Sequence, residues 1–390
     1  MGVAIEVSLH TGNDEGRGFG VRDLSSSLIE QTLMGLPFLS NGAGKRPDEV
    51  IAVDLGGRTT KAVHLQRKGE TYILHRYTLL DAPIFEKTLS PDLLCEHLKA
   101  VVAALETRTR AVVLAVGVND AFVRHADMPR MPVDDMRQVL KLGPKNYLQQ
   151  DLPNHVFDCF ILPPKTATAT DPKAAQAATP KLRVLATGAR QQLIADFSNA
   201  IKNAGLVADR IVPGLIGPAN SFELAMPQAF QQEVVALVDL GFRSTTISIL
   251  NCGEFALSRV VALGGDKITT GLAESMGISY AEAEGIKVGM AGEVQSALEA
   301  LVSPLGRELR ASLDFFEHQQ DKPVGQVFFT GGASRSALLL GALQTEMMVE
   351  CKTWNPVATM QTELPPVQTA ELEQIAPQLT VAIGAALAAF

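Results

Sequence analysis

The chain has 390 residues, 46% of them hydrophobic and 19% charged, with a formal net charge of −8 and a pI near 5.5. That length supports one or two large cores, so a soluble protein of two lobes is the natural expectation. The acidic balance, with no block of Lys and Arg, argues against a nucleic-acid partner.

Residues 1–48 differ in texture from the rest of the chain. Glycines and polar residues (TGNDEGRGFG) precede a short amphipathic helix, Ser27–Met34, in which Ser27 and Glu30 have capping-box spacing and Leu28, Ile29, Thr32 and Leu33 share a face. Pro37 and Asn41-Gly42-Ala43-Gly44 end it. Gly44-Lys45 imitates a phosphate-binding Walker loop, but Leu39 stands where its first glycine belongs and Arg46 where Ser or Thr belongs, so that reading fails. The segment reads as a flexible arm or as a docking element, either for a partner or reversibly for the protein's own body.

The next stretch, Val53–Leu65 (VDLGGRTTKAVHL), occurs twice. A shift of 185 positions lays Val238–Leu250 (VDLGFRSTTISIL) on it, with seven of thirteen positions identical. Lys68-Gly69-Glu70 after the first copy is matched, one residue earlier, by Cys252-Gly253-Glu254 after the second. Each copy reads as a buried strand ending in an Asp, a glycine turn, a returning strand and a second turn. A turn at Gly56 or Gly241 exposes backbone N–H groups that can cradle a phosphate. Thr59, Thr60, Ser244, Thr245, Thr246 and the Lys61 ammonium add donors, and Asp54 and Asp239 suit hydrated Mg2+. One such turn is an ordinary hairpin; two facing each other would clamp a polyphosphate from both sides.

Between the copies, Glu70–Leu80 is expected as a strand, Leu93–Thr107 as a helix and Ala111–Val118 as a buried strand, an α/β layout. From Asn119 to Asp209 the texture changes. Met128-Pro129 and Met131-Pro132 mark a turn, Val133–Gln150 is a helix candidate, and His155–Leu162 and Leu182–Gly188 are strands. The Pro/Ala/Thr-rich run at 163–180 joins them as a mobile hairpin loop. A helix over Gln191–Ala204 and a strand over Val207–Val212 complete a β-α-β-β-α-β set, read as a small inserted subdomain.

Beyond the second copy, Phe255–Val261 is a strand, Gly264-Gly265-Asp266-Lys267 opens one helix and Ser279–Lys287 (SYAEAEGIK) another. Leu301–Gln319 is a helix with Leu305, Leu309, Leu313 and Phe316 on one stripe, which is core packing. Val327–Phe329 is a strand running into Thr330-Gly331-Gly332-Ala333-Ser334, where paired glycines at a strand-to-helix junction allow close approach of a ligand. The ending LTVAIGAALAAF is shorter than the roughly 20 residues needed to span a bilayer and reads as a buried helix. Cys95, Cys159, Cys252 and Cys351 lack metal spacing and read as buried thiols of a reducing cytoplasm, and no secretory signal opens the sequence.

Asp54-x-Gly, Asp239-x-Gly and Thr330-Gly331-Gly332, in this order, resemble the two phosphate motifs and the adenosine motif of the actin, Hsp70 and sugar kinase superfamily. Within it the sequence is most similar to the PilM family of type IV pilus assembly and its relative FtsA. Lys61, Ala262–Thr269 (ALGGDKIT), SYAEAEGIK, the insertion opening on an MPxMP-like turn and the ending APQLTVAIGAAL carry that resemblance, from about Val50 onward. It implies an α/β, actin-like two-lobed fold of duplicated RNase H-like domains: a first lobe over 49–118 and 210–232, an insertion over 119–209, a second lobe over 233–375, and a C-terminal helix over 376–390 packing on the first lobe. It also implies ATP and Mg2+ in the cleft. Asp54, Gly56, Gly57, Thr59, Thr60 and Lys61 would line one side of the phosphates, and Asp239, Gly241, Ser244, Thr245 and Thr246 the other. Gly264, Gly265, Lys267, Glu284 and Lys287 would lie near ribose and base, and Gly331, Gly332, Ala333 and Ser334 would close over the adenosine. Where the family carries Ser after the first Asp-x-Gly, this sequence has Gly57 and Arg58.

The resemblance further implies a cytoplasmic scaffold at the inner membrane, of a pilus or a related type II secretion-like platform, that meets other platform proteins and holds the N-terminal tail of a PilN-like single-span membrane protein, in a groove sought around Asn119–Tyr147 and the neighbouring lobe surface. Weak ATPase activity is compatible with it. Two other function classes compete. A small-molecule phosphotransferase needs a carboxylate base beside a substrate hydroxyl, for which the sequence offers no candidate. An FtsA-like division protein calls for a basic amphipathic C-terminal helix, which the Ala-rich ending is not.

Overall fold

The computed structural model describes residues 39–40, 46–85, 89–163, 181–289 and 291–390. The amphipathic Ser27–Met34 and nearly all of the 163–180 connection lie outside the described residues. The elements in chain order are β1 (Leu39–Ser40), β2 (Glu49–Leu55), β3 (Thr59–Lys68), β4 (Thr71–Asp81), α1 (Pro91–Ala104), β5 (Ala111–Val116), β6 (Ala121–Pro129), α2 (Val133–Leu142) and α3 (Pro144–Leu148). Then come β7 (His155–Ile161), β8 (Lys181–Arg190), α4 (Gln191–Asn203), β9 (Val207–Pro213), α5 (Gly217–Ala225) and α6 (Pro227–Gln232). The second half holds β10 (Val234–Leu240), β11 (Thr245–Asn251), β12 (Glu254–Val261), α7 (Gly265–Met276), α8 (Tyr280–Gly289), α9 (Gln295–Gln320), β13 (Gln326–Thr330), α10 (Ala337–Met347), β14 (Glu350–Thr353), β15 (Gln361–Thr362), α11 (Pro366–Ile375) and α12 (Thr380–Leu387).

These strands form three sheets, in the orders β1-β9-β5-β2-β3-β4-β15, β12-β11-β10-β13-β14 and β6-β8-β7. The first two share a plan. In each, a three-stranded antiparallel meander continues into two parallel strands: β4-β3-β2 into β5 and β9, and β12-β11-β10 into β13 and β14. The repeat seen in sequence is therefore a repeat of whole sheets, and its register is kept to the residue. Asp54 pairs with Lys61 and Leu55 with Thr60 in one hairpin; Asp239 pairs with Thr246 and Leu240 with Thr245 in the other.

Each sheet is buried on both faces. Ile383, Leu387 and Phe390 cover Val50, Ala52, Val63 and Leu65 on one face of the first sheet, while Leu94, Leu98, Ile194 and Phe197 of α1 and α4 cover Ile51, Val53 and Leu114 on the other. In the second sheet, Ile268, Leu309, Leu313 and Leu343 from α7, α9 and α10 pack on Val238, Ile247 and Phe329, and Phe222 of α5 packs on Leu237 and Phe328 opposite. Helix α5 thus belongs to one sheet and α12 to the other, and the two helices meet backbone to backbone. A Cβ added to Gly384 would stand 1.8 Å from the Gly217 carbonyl oxygen, and one added to Gly217 would stand 2.8 Å from that of Val381. Asn220 Nδ2 donates to the Gly384 carbonyl at 3.0 Å and Ser221 Oγ to that of Thr380 at 2.7 Å, fastening the crossing.

Several elements differ from the sequence reading. Val133–Gln150 is two helices, because Pro144 has no N–H to continue the ladder and forces Gly143 out of helical geometry (φ −148°, ψ 61°). Strand β6 runs through Met128-Pro129, which the sequence reading assigns to a turn. The three-stranded sheet holds β6, β7 and β8 alone, whereas β9, grouped with the insertion in the sequence reading, pairs with β5 in the large sheet. Helix α9 starts six residues earlier than expected and carries Pro304 inside it. Cys252 is not buried: with Gly253 it forms the two-residue β11–β12 turn, both at positive φ (50° and 83°), as such turns require. Cys95 and Cys159 are buried and Cys351 is partly so.

Candidate functional site

Strands β2 and β10 are apolar and buried through their central four residues, and each ends by delivering a carboxylate, Asp54 or Asp239, to a cavity of about 760 Å³ between the two sheets. The cross-strand neighbour of Asp54 is Lys61, whose Nζ lies 3.6 Å from Oδ2. The neighbour of Asp239 is Thr246, which brings no charge. Burial pushes the Asp54 carboxyl up, with Lys61 opposing. Asp239 is pushed up to about 6, first by burial and then by the charge of Asp54, with Lys61 again opposing. One ammonium thus serves two half-buried carboxylates, a deficit of positive charge that a bound cation would fill.

Backbone crowding explains the glycines. A Cβ on Gly56 would meet the Thr59 carbonyl oxygen at 2.4 Å and Lys61 Nζ at 2.5 Å; one on Gly241 would meet the Ser244 carbonyl oxygen at 2.7 Å. Gly331 has φ +89°, and its Cβ would lie 2.3 Å from Asp239 Oδ1, so the β13 turn is folded directly against the second carboxylate. That turn is tied to the segment before α12: Gly331 N–H and the Thr330 hydroxyl both donate to the Pro377 carbonyl, at 2.9 and 2.7 Å.

The far wall comes from α8. Glu284 accepts from Lys287 Nζ at 2.6 Å and from the Thr269 hydroxyl at 2.5 Å, and Arg58 of the first hairpin reaches it at 3.2 Å. Burial by itself would raise the Glu284 carboxyl, but these donors and the charges of Lys287 and Arg58 hold it below its ordinary value.

Of the residues singled out in the sequence, Asp54, Gly56, Gly57, Thr59, Lys61, Asp239, Gly241, Ser244, Thr246, Gly265, Glu284, Lys287, Gly331, Gly332 and Ala333 line this one cavity. The others do not. Thr60 and Thr245 sit on the opposite face of their strands, buried, where Thr60 is bonded to His97 Nε2 (2.7 Å) and Thr245 donates to the Leu263 carbonyl (2.7 Å). Gly264 is needed for packing, since a Cβ there would stand 2.4 Å from the Phe242 carbonyl oxygen, and the N–H groups of Gly265 and Asp266 cap α7 onto the Gly241 and Phe242 carbonyls. Lys267 is turned to the Ala262 carbonyl, and the Ser334 hydroxyl donates to that of Gly331. The sequence reading also missed residues that line the cavity: Arg58, Phe242, Arg243 and Gln378. Both arginines were within sight, because Arg58 and Arg243 are one of the identities of the repeat.

The structure is similar to that of a PilM-PilN type IV pilus biogenesis complex, at TM-score 0.74 and 24% identity over 88% of this chain and 99% of that one. It is also similar to the ethanolamine utilization protein EutJ from Carboxydothermus hydrogenoformans, at TM-score 0.51 and 13% identity over 88% and 90%. The fold is the actin-like one. The family model for the type IV pilus assembly protein PilM matches residues 52–390, a span that takes in the turns of both hairpins, the β13 turn and α12. By that match the chain belongs to the PilM family of type IV pilus assembly proteins.

Proposed function

We propose that this PilM-family protein is a nucleotide-binding scaffold of the pilus inner-membrane platform, taking ATP with Mg2+ in the interlobe cavity. The observation that carries the reading is the paired geometry: two Asp-x-Gly hairpins in the same register open on one cavity, with a single lysine between their carboxylates. The donor set suits a polyphosphate, with Lys61, Thr59, Ser244 and Thr246 around glycines that no side chain fills. Asp54 and Asp239 suit a hydrated divalent cation, whose charge would stabilise both in the ionised form and spread over phosphate oxygens. Glu284 and Lys287 stand where ribose and base would lie, and Gly331, Gly332 and Ala333 close the adenosine end.

Outside the cavity, the protein holds the N-terminal cytoplasmic tail of a PilN-like membrane protein, at the insertion surface around Asn119–Tyr147, and so sits at the inner membrane through its partner. The likeness to a PilM-PilN complex supports that partner. Among the described residues no helix is long and apolar enough to cross a membrane, so the attachment proposed is to the partner.

Calorimetry with Mg·ATP on the intact chain and on Asp239→Ala tests the nucleotide site. Micromolar binding that the substitution abolishes is expected; no binding to intact protein freed of nucleotide would leave the cleft as architecture and the scaffold as a peptide binder. A labelled peptide copying the PilN tail, read by fluorescence anisotropy, tests the second site, and saturable binding is expected.

A further inference from the structure

The two hairpins do more than offer carboxylates: each lies across the other. Under the shift that superposes them, Arg58 corresponds to Arg243 and Gly57 to Phe242. The Arg58 guanidinium sits over the Phe242 ring, 5.7 Å from its centroid. Reciprocally, the Arg243 side chain runs over Gly57, so closely that a Cβ there would stand 3.0 Å from Cγ, 3.2 Å from Cδ and 3.3 Å from Nε. Each hairpin's arginine therefore packs on the other hairpin's residue just before the arginine position.

The charged ends have different fates. Arg58 is engaged, paired with Glu284 at 3.2 Å, and this ion pair runs from the first hairpin to α8 on the second sheet. Arg243 makes no hydrogen bond or ion pair among the described residues, and it lines the same cavity as Lys61, Asp54 and Asp239. Arg243 is exposed, its stem lies along the opposite hairpin, and it lines the cavity with no partner of its own among the described residues, which places it to donate to an anion there.

We propose that Arg243 binds the terminal phosphate of the nucleotide, and that Arg58 is a positioning residue whose bond to Glu284 latches the two lobes together at the mouth of the cleft. The proposal rests on the nucleotide reading above. Arg243 extends the cradle beyond Lys61, so its charge bears on the number of phosphates, and Gly57 is the position that gives its stem a path. Arg58 bridges the lobes when no ligand does, because both of its contacts, Phe242 and Glu284, belong to the opposite lobe.

Two measurements on the full chain separate these roles. Calorimetry with Mg·ADP, Mg·ATP and inorganic tripolyphosphate on wild type, Arg243→Gln and Gly57→Ser should show Arg243→Gln weakening ATP and tripolyphosphate about tenfold or more, and ADP by less than about threefold. Gly57→Ser should move in the same direction by displacing the stem. Equal loss for both nucleotides, or none, overturns the phosphate assignment. Small-angle scattering on nucleotide-free protein should show a larger radius of gyration for Arg58→Gln and a smaller increase for Arg58→Lys, which keeps the charge; a profile unchanged by Arg58→Gln overturns the latch. If wild type binds neither nucleotide, the phosphate assignment falls together with the nucleotide reading, while the scattering comparison still decides the latch.

Discussion

The hairpins β2–β3 and β10–β11 have the same turn, the same register and a carboxylate at the same place, yet they differ in what surrounds that carboxylate. Asp54 has a lysine across the strand pair; Asp239 has a threonine there, a glycine turn against its back, and a carboxyl pushed up to about 6. Register is a property of backbone pairing and alternation, so a duplicated sheet keeps it. Charge balance is a property of single side chains, so it diverges freely between the copies. The second hairpin is the charge-poor one, with a turn of another strand packed against its carboxylate, and the effects of substitution should follow that asymmetry.

The largest contrast is expected at the glycines beside each hairpin. Gly331→Ala forces a side chain into positive φ and onto Asp239, and should cost about 2–4 kcal/mol in urea denaturation. Gly117, past the end of β5 in the first lobe, has its nearest neighbour at 3.6 Å, so Gly117→Ala should change stability by less than about 1 kcal/mol. Equal costs would mean that the two turns leave a side chain the same room and the asymmetry is not real.

Next comes the carboxylate itself. Because its folded pKa of about 6 exceeds the unfolded value of 3.8, ionised Asp239 weakens the fold above that range and has no such effect below it. Asp239→Asn should therefore stabilise the ligand-free protein at pH 8 by up to about 3 kcal/mol, and the gain should fade as pH falls through 6 and vanish below about 4. Asp54→Asn should gain less, since it also strips Lys61 of its partner. A pH-independent gain would point to packing and not to charge.

The smallest effects sharpen the likeness of the copies. Thr60→Val and Thr245→Val each remove one partly buried hydrogen bond and should each cost about 1 kcal/mol, without weakening Mg·ATP binding. A loss of affinity at unchanged stability would place those hydroxyls in the cleft after all.

Much of this was legible in the sequence because the motif appears twice: identical spacing from Asp to Arg to Thr forces the same hairpin, and the hairpins fix where two sheets begin. The overreach was equally physical. Runs of hydroxyls, Thr59-Thr60 and Ser244-Thr245-Thr246, all read as ligand donors, although side chains alternate along a strand. With Asp54 and Lys61 on the cleft face, Thr60 had to face the core, and the same parity removes Thr245. The arginine contacts could not be read, since they depend on the distance between two lobes that no periodicity encodes. Nor could the pairing of β1 with Ile211 and Arg210 at the edge of the large sheet, which two residues of strand carry.

The crossing of α5 and α12 has a mechanical meaning. Where Gly217 and Gly384 touch, no side chain stands between the helices and none has a rotamer to change, so a substituent at either position must move the crossing itself. Gly214, Thr380 and Val381 beside it form part of the cavity floor, and the turn behind Asp239 is bonded to Pro377 just ahead of α12. Whatever fills the cleft therefore abuts the crossing that joins the two sheets, so the cavity and the junction of the lobes share residues.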